Sequence, residues 1–281
     1  MSRCFSIPAC LVYAAGFGLF AAFFPAGAAN LTPEQERQAL LQTLQQRFPS
    51  IPPSDYVTGS AAFDDALQTR QIDLNRYAEV MAKGKSLWEH RFRNGRSLAS
   101  CFPNGGRRVA ATYPQFDSRT RQVITFETAI SQCLKLHGER EIDFSDSDTG
   151  GPLTAYARSL ADDKRTNIRV QTALAQAKFD AGRALFLSRM GQQNQACASC
   201  HVQYAGSILR DRPLPAAIGQ TAQWPRIDDQ GKVITLQMQY QRCMRRMGAS
   251  PLQLDSEDLN NLEYFHTFLS NGLPLKSLPA R

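Results

Sequence analysis

Cys197-Ala198-Ser199-Cys200-His201 decides how the rest of this chain is read. Two cysteines separated by two residues, followed at once by histidine, form the attachment signature of a c-type haem. The thiols form thioethers with the porphyrin vinyl groups, and His201 is placed to give the iron its proximal nitrogen. A paired-cysteine turn also occurs in zinc and dithiol redox sites, but zinc needs two further ligands at short spacing, and none lies nearby. The motif predicts one covalent haem c on Cys197, Cys200 and His201.

Downstream, Met238, Cys243, Met244 and Met247 are the sulfur ligands on offer for the other side of the iron. A methionine there is common in electron carriers. Cys243 would instead supply an anionic sulfur that stabilises ferric iron and lowers the potential. Arg242, Arg245 and Arg246 surround Cys243, and neighbouring cations favour the thiolate that binds iron and reacts with sulfur compounds. Two readings stand. Either Cys243 is metal ligand and catalytic sulfur with the three arginines binding an anionic substrate, or Met244 or Met247 is the ligand and the arginines are a solvated helix face. His266, between Phe265 and Thr267 and close to Phe268, reads as structural. His90 and His137 lie outside the haem region.

The N-terminus has the form of a secretory signal over residues 1–29: Arg3, an apolar run from Phe5 to Phe24, then Ala26-Gly27-Ala28. Pro8, Pro25 and the missing basic cluster set it apart from a retained anchor, so the mature protein is expected to be exported and free of membrane. Cys4 and Cys10 leave with the signal. Of the five remaining cysteines, Cys101 and Cys133 are disulfide candidates in an oxidising compartment. The chain carries 32 Lys and Arg against 25 Asp and Glu, a formal charge of +7. No basic segment is interleaved with aromatics, so nucleic acid is not expected as a partner. A basic surface suits a small anion or an acidic protein.

Apolar spacing predicts helices over 32–48, about 61–88, about 119–136, within 153–190, and over 236–247. A last helix is capped by Asp255 or Ser256 and stopped by Asn271-Gly272. The run from Asp143 to Pro152 reads as linker or surface loop, and 209–233 as loop. Period-2 alternation is almost absent, so the fold class is all-α. No internal repeat is readable along the chain.

Gly182-Arg183-Ala184-Leu185-Phe186, Arg189-Met190-Gly191-Gln192, the haem motif, Leu236-Gln237 with Cys243, and Asn261-Leu262-Glu263-Tyr264 with Asn271-Gly272-Leu273-Pro274 together resemble the SoxA family. The likeness is dense over 172–276 and looser over 61–136. It implies two cytochrome c-like domains, here 30–150 and 151–281, in a periplasmic protein. The first domain would lack haem and carry a Cys101–Cys133 disulfide in its place. It also implies Cys243 as distal ligand and catalytic group. The activity implied is that of an L-cysteine S-thiosulfotransferase, joining thiosulfate oxidatively to a cysteine of a SoxYZ-type carrier, with electrons passing through haem to a small SoxX-type cytochrome. The family favours arginines four residues before and five after the distal cysteine; Gln239 and Gly248 stand there. A plain electron-transfer cytochrome and a thiosulfate dehydrogenase-like cytochrome are the rival functions, and a single haem motif counts against the second.

Overall fold

The structure, a computed structural model, describes residues 31–57, 74–209, 212–228 and 230–276. The expected signal segment and the predicted helix start at 61–73 lie outside the described residues. Thr32 and Pro33 begin α1 (Pro33–Arg47) as expected: Gln35 N donates to Thr32 Oγ1 at 3.3 Å while Thr32 N donates to Gln35 Oε1 at 2.9 Å. Leu40 and Leu44 of α1 are buried in the main core. Its buried Glu36 binds Arg183 at 2.5 Å, and its Arg47 donates to the Val202 and Gln203 carbonyls at 2.9 and 3.0 Å.

Beyond α1 the described chain passes through one order of elements twice. The first unit holds α2 (Leu74–Glu89), the short α3 (Leu98–Cys101), a hairpin of β1 (Gln115–Asp117) and β2 (Gln122–Ile124), then α4 (Phe126–Leu136) and α5 (Gly150–Ser159). The second holds α6 (Ala173–Leu187), the Ser199–Gln203 turn, and a small ladder of β3 (Ile208–Leu209) with β4 (Arg212–Pro213). A hairpin of β5 (Arg226–Ile227) and β6 (Val233–Ile234) follows, then α7 (Leu236–Arg246) and α8 (Glu257–Phe268). Val123-Ile124-Thr125 and Val233-Ile234-Thr235 are the same triplet, and each threonine caps its helix, accepting from Thr128 N at 3.0 Å and Met238 N at 3.4 Å. Each helix then places a cysteine eight residues on, Cys133 and Cys243, and is followed by a left-handed glycine, Gly138 and Gly248. Upstream, Leu98-Ala99-Ser100-Cys101-Phe102 stands where the second unit has the haem motif. The sequence alone shows no convincing repeat but leaves room for two haem-domain-sized halves, and the element order makes the correspondence visible. The match rests on few identities, and its offset changes between segments.

Each unit is held by one helix crossing, and each crossing passes through one glycine. A Cβ on Gly84 of α2 would lie 2.1 Å from the Pro152 carbonyl oxygen of α5, and one on Gly182 of α6 would lie 1.9 Å from that of Asn261 in α8. Only glycine allows such contact. Around the second crossing Phe179 meets Phe265 and Phe268 at 5.1 and 5.3 Å between ring centres. In the first unit Trp88 stacks on Phe102 at 5.3 Å, and Phe126, Ile130 and Leu134 close the core. Cys101 and Cys133 form a disulfide across 6.1 Å between Cα atoms, tying α3 to α4.

Among the described residues strand pairing is confined to three two-stranded ladders, so the structure is helical with little sheet. The helix expected from about residue 119 starts only at Phe126, because Gln122–Ile124 pairs with β1. The region expected to be helical within 153–190 breaks between Ser159 and Ala173. Asp143 and Asp146 organise the expected loop by accepting from Ser145 N and Asp148 N, both at 2.8 Å, but Gly150 to Pro152 are buried in the first turn of α5. That helix, beginning where the two domains were expected to divide, packs on α2. No helix among the described residues is long and apolar enough to cross a membrane.

A buried polar seam joins the units. Arg158 of α5 donates through Nε to the Trp224 carbonyl at 2.8 Å. Gln237 of α7 donates to Asn260 Oδ1 at 2.8 Å and Glu263 Oε2 at 3.1 Å, and Asp255 N donates to Gln237 Oε1 at 2.8 Å. Burial, then the neighbouring Glu127 carboxylate, pushes Glu263 up to about 8; Arg158 and Gln237 pull the other way and Asp255 adds to the rise. Burial raises Glu127 as well.

Two outcomes follow from this frame. The disulfide closes a separation of 32 residues, for which loop entropy gives roughly 3–4 kcal/mol. A Cys101→Ser/Cys133→Ser variant should therefore melt about 10 °C lower in calorimetry; an unchanged melt would refute a structural role. Folded Glu263 keeps a proton that the unfolded chain releases above the ordinary carboxylate range. Stability should thus be full at acidic pH and fall as pH rises to about 8. Urea titrations of Glu263→Gln between pH 5 and 9 should show that fall flattened, and an identical slope would exclude the seam as its source.

Candidate functional site: a cysteine and histidine turn facing Cys243

The turn bearing Cys200 and His201 is wound more widely than an α-helix: Tyr204 N donates to the Ser199 carbonyl at 2.9 Å, a five-residue step typical of functional sites. Pro215 fixes its histidine. His201 Nδ1 lies 2.8 Å from the Pro215 carbonyl, and burial lowers the imidazole pKa, so the ring is neutral, donates through Nδ1 and keeps the Nε2 lone pair for an acceptor. Ala217 N, in turn, donates to the His201 carbonyl at 2.7 Å.

Gly191 brings Cys243 to this turn. Its positive φ lets the segment before the haem motif run against the end of α7, where an added Cβ would sit 2.1 Å from the Met247 carbonyl oxygen. Gln193 N donates to that carbonyl at 3.1 Å, and Gln193 Nε2 to the Arg246 carbonyl at 2.7 Å. Cys197, Cys200 and Cys243 are free, half-buried thiols. Burial raises Cys197 to about 12, and the thiols of Cys243 and Cys200 add to the rise.

The expectation that three arginines depress the Cys243 thiol is corrected. Burial raises it; Arg246 and a hydrogen bond from Gln239 oppose the rise, and Cys200 adds to it. Arg242 is engaged with Asp228 at 2.9 Å, and Arg245 reaches Gln241 Oε1 at 3.4 Å. Arg246 is exposed and, among the described residues, has no ion pair. Gln239 Nε2 stands 3.3 Å from Cys243 Sγ, one helical turn before it. Met244 and Met247 are buried in the main core, and Met238 Sδ accepts from Thr235 N at 3.5 Å. His266 is buried, with Nδ1 2.9 Å from the Tyr240 hydroxyl; burial above all lowers it to about 3.

These residues fit a covalent haem: two free thiols separated by two residues, an imidazole held by its far nitrogen, and a third free thiol on α7. Such a turn on a helical frame of this kind defines a c-type cytochrome. The model for the SoxA/TsdA cytochrome c domain matches residues 83–165 and 181–275. The L-cysteine S-thiosulfotransferase subunit SoxA of Chlorobaculum tepidum is 33% identical over 241 residues, 84% of each chain. That of Allochromatium vinosum is 31% identical over 259 residues, covering 89% of this chain and 90% of its own. This chain belongs to the SoxA family. The crystal structure of SoxXA from P. pantotrophus superposes with a TM-score of 0.68 at 22% identity, over 79% of this chain and 86% of the matched one, and so shares the fold.

Sequence reasoning quoted Gln239 only as a missing arginine; its contact with Cys243 was available from the i, i+4 spacing on one helix. The Pro215 carbonyl and Asp228 carried no such signal, since both meet their partners only through tertiary folding.

Replacing Cys197 and Cys200 together by serine should leave haem that is extracted by acidified butanone, where the wild-type haem stays with the polypeptide. Covalent haem in the double variant would refute the attachment.

Proposed function

We propose that this chain is an exported haem c enzyme that joins thiosulfate oxidatively to a cysteine of a SoxYZ-type carrier and passes the electrons to a SoxX-type cytochrome. One observation carries the site assignment: Cys243 is a free thiol on α7, whose end is hydrogen-bonded through Gln193 to the segment leading into the haem motif, while Met244 and Met247 are buried in the core. The activity rests on the relatives' names and the family.

Cys197 and Cys200 would hold the haem, and His201 and Cys243 would be its iron ligands. When bound, the haem supplies an acceptor that takes electrons one at a time. Cys243, whose thiol would be kept deprotonated by coordination to the haem iron, bonds through its sulfur to the outer sulfur of thiosulfate as two electrons leave. The carrier thiol then loses its proton, attacks that outer sulfur, and releases the Cys243 thiolate. Net, one carrier thiol and one thiosulfate give one S–S bond, one proton and two electrons. Arg246 is the cation for the sulfonate end, with Arg245 beside it; Arg242, paired with Asp228, is the weakest of the three.

The first unit is haem-free. Leu98 and Phe102 occupy the places of Cys197 and His201, and Cys101 and Cys133, matching Cys200 and Cys243, are joined to each other. One haem per chain follows. We place the division between the units in 160–172, after α5, rather than after residue 150.

Cys243→Met tests the assignment. The variant should keep its haem, show a methionine-type ferric spectrum and a higher potential, and lose thiosulfate-dependent reduction of the partner cytochrome with the carrier present. An unchanged spectrum together with unchanged turnover would make the protein an electron carrier with a methionine ligand.

A further inference from the structure

Gln239 is a neutral residue where the family favours a cation, and it is the closest polar side chain that the structure gives to the Cys243 sulfur. We infer that Gln239 is a positioning residue that holds Cys243 Sγ through an amide hydrogen bond and tunes its electron donation, leaving recognition of the thiosulfate charge to Arg246. The inference rests on the reading of Cys243 as iron ligand and reacting sulfur.

Three observations support it independently of any titration. Gln239 Nε2 lies 3.3 Å from Sγ within one helix, so the contact is set by α7 and not by a loop. The internal repeat supplies a control. The position matching Gln239 in the first unit, four residues before Cys133, is Ala129. There the sulfur is consumed in a disulfide and needs no donor; the polar donor occurs where the sulfur is free. Third, charge is separated from this contact. Arg242 is paired with Asp228 at 2.9 Å, whereas Arg246, three residues past Cys243, is exposed without an ion pair among the described residues. An arginine at 239 would combine both tasks in one group. Here an uncharged N–H and a cation on the other side of the sulfur divide them.

The physical consequence has a sign. A hydrogen bond to a sulfur ligand withdraws electron density from it and raises the potential of the iron it binds. It also makes that sulfur a better leaving group when the carrier displaces it. Losing the donor should lower the potential and slow turnover, while leaving the affinity for the anion nearly as it was.

The test uses the purified holoprotein with its partner cytochrome. In Gln239→Leu and Gln239→Glu, haem content should match the wild type. The ferric-to-ferrous ratio at a fixed applied potential should rise by about threefold to tenfold, the upper end being 59 mV for a one-electron couple. Low-spin EPR g values should move, and kcat should fall roughly tenfold with KM for thiosulfate little changed. Arg246→Gln should show the opposite split, a raised KM with kcat little changed. If both Gln239 variants keep the wild-type potential and g values while Cys243→Ser shifts them, the inference fails and the ligand assignment stands. If Cys243→Ser also leaves them unmoved, both fail.

Discussion

The contact between Gly182 and the backbone at Asn261 governs the rest of the second unit. With no Cβ between them, α6 and α8 approach until Phe179 and Phe186 interlock with Phe265 and Phe268. The chain then leaves α6 toward the haem turn and enters α8 from α7, so one crossing sets where both approach the prosthetic group. A single methyl at residue 182 would force α8 away and carry Tyr240, His266 and the end of α7 with it. The same device at Gly84 and Pro152 shapes the first unit, where no haem motif exists. The crossing therefore belongs to the frame and not to the chemistry: the unit with the Cys101–Cys133 disulfide and the unit with the haem motif keep the same architecture.

The catalytic character of the second unit comes from a contrast between matched positions. Cys133 and Cys243 occupy equivalent turns of equivalent helices, yet one sulfur is closed and the other open. Burial makes an open thiol there a poor acid, so nearby arginines alone do not produce a thiolate. On the proposed reading of Cys243 as iron ligand, coordination supplies the thiolate that the arginines do not.

Local signals in the sequence were read well. Thr32-Pro33, Ser256 and the haem motif are short-range features whose physics lies within a few residues, and the structure places α1, α8 and the haem turn accordingly. Cys101 and Cys133 were legible as a pair because few cysteines remained for them. What stayed hidden was either too short or too distant. Strands of two or three residues, such as Val233–Ile234, leave no alternation to detect. The internal repeat hides behind offsets that change between segments. Arg242 looked like an anion ligand because Asp228, its partner, lies across a hairpin. The Glu127 and Glu263 seam joins residues 136 positions apart, beyond any periodicity.

The first helix described has its partners at the far end of the chain. Arg37 donates to the Asn271 carbonyl, Arg47 to those of Val202 and Gln203, and Glu36 binds Arg183, across separations of 147 to 234 residues. A ribosome makes α1 early and its partners late. Through most of synthesis Leu40 and Leu44 have no core to enter, and helices of this length are marginal alone. The haem turn, whose Val202 and Gln203 carbonyls await Arg47, is completed only when beginning and end of the chain meet. Final closure of the molecule is therefore a long-range event, slow by its topology, and it coincides with completion of the cofactor turn.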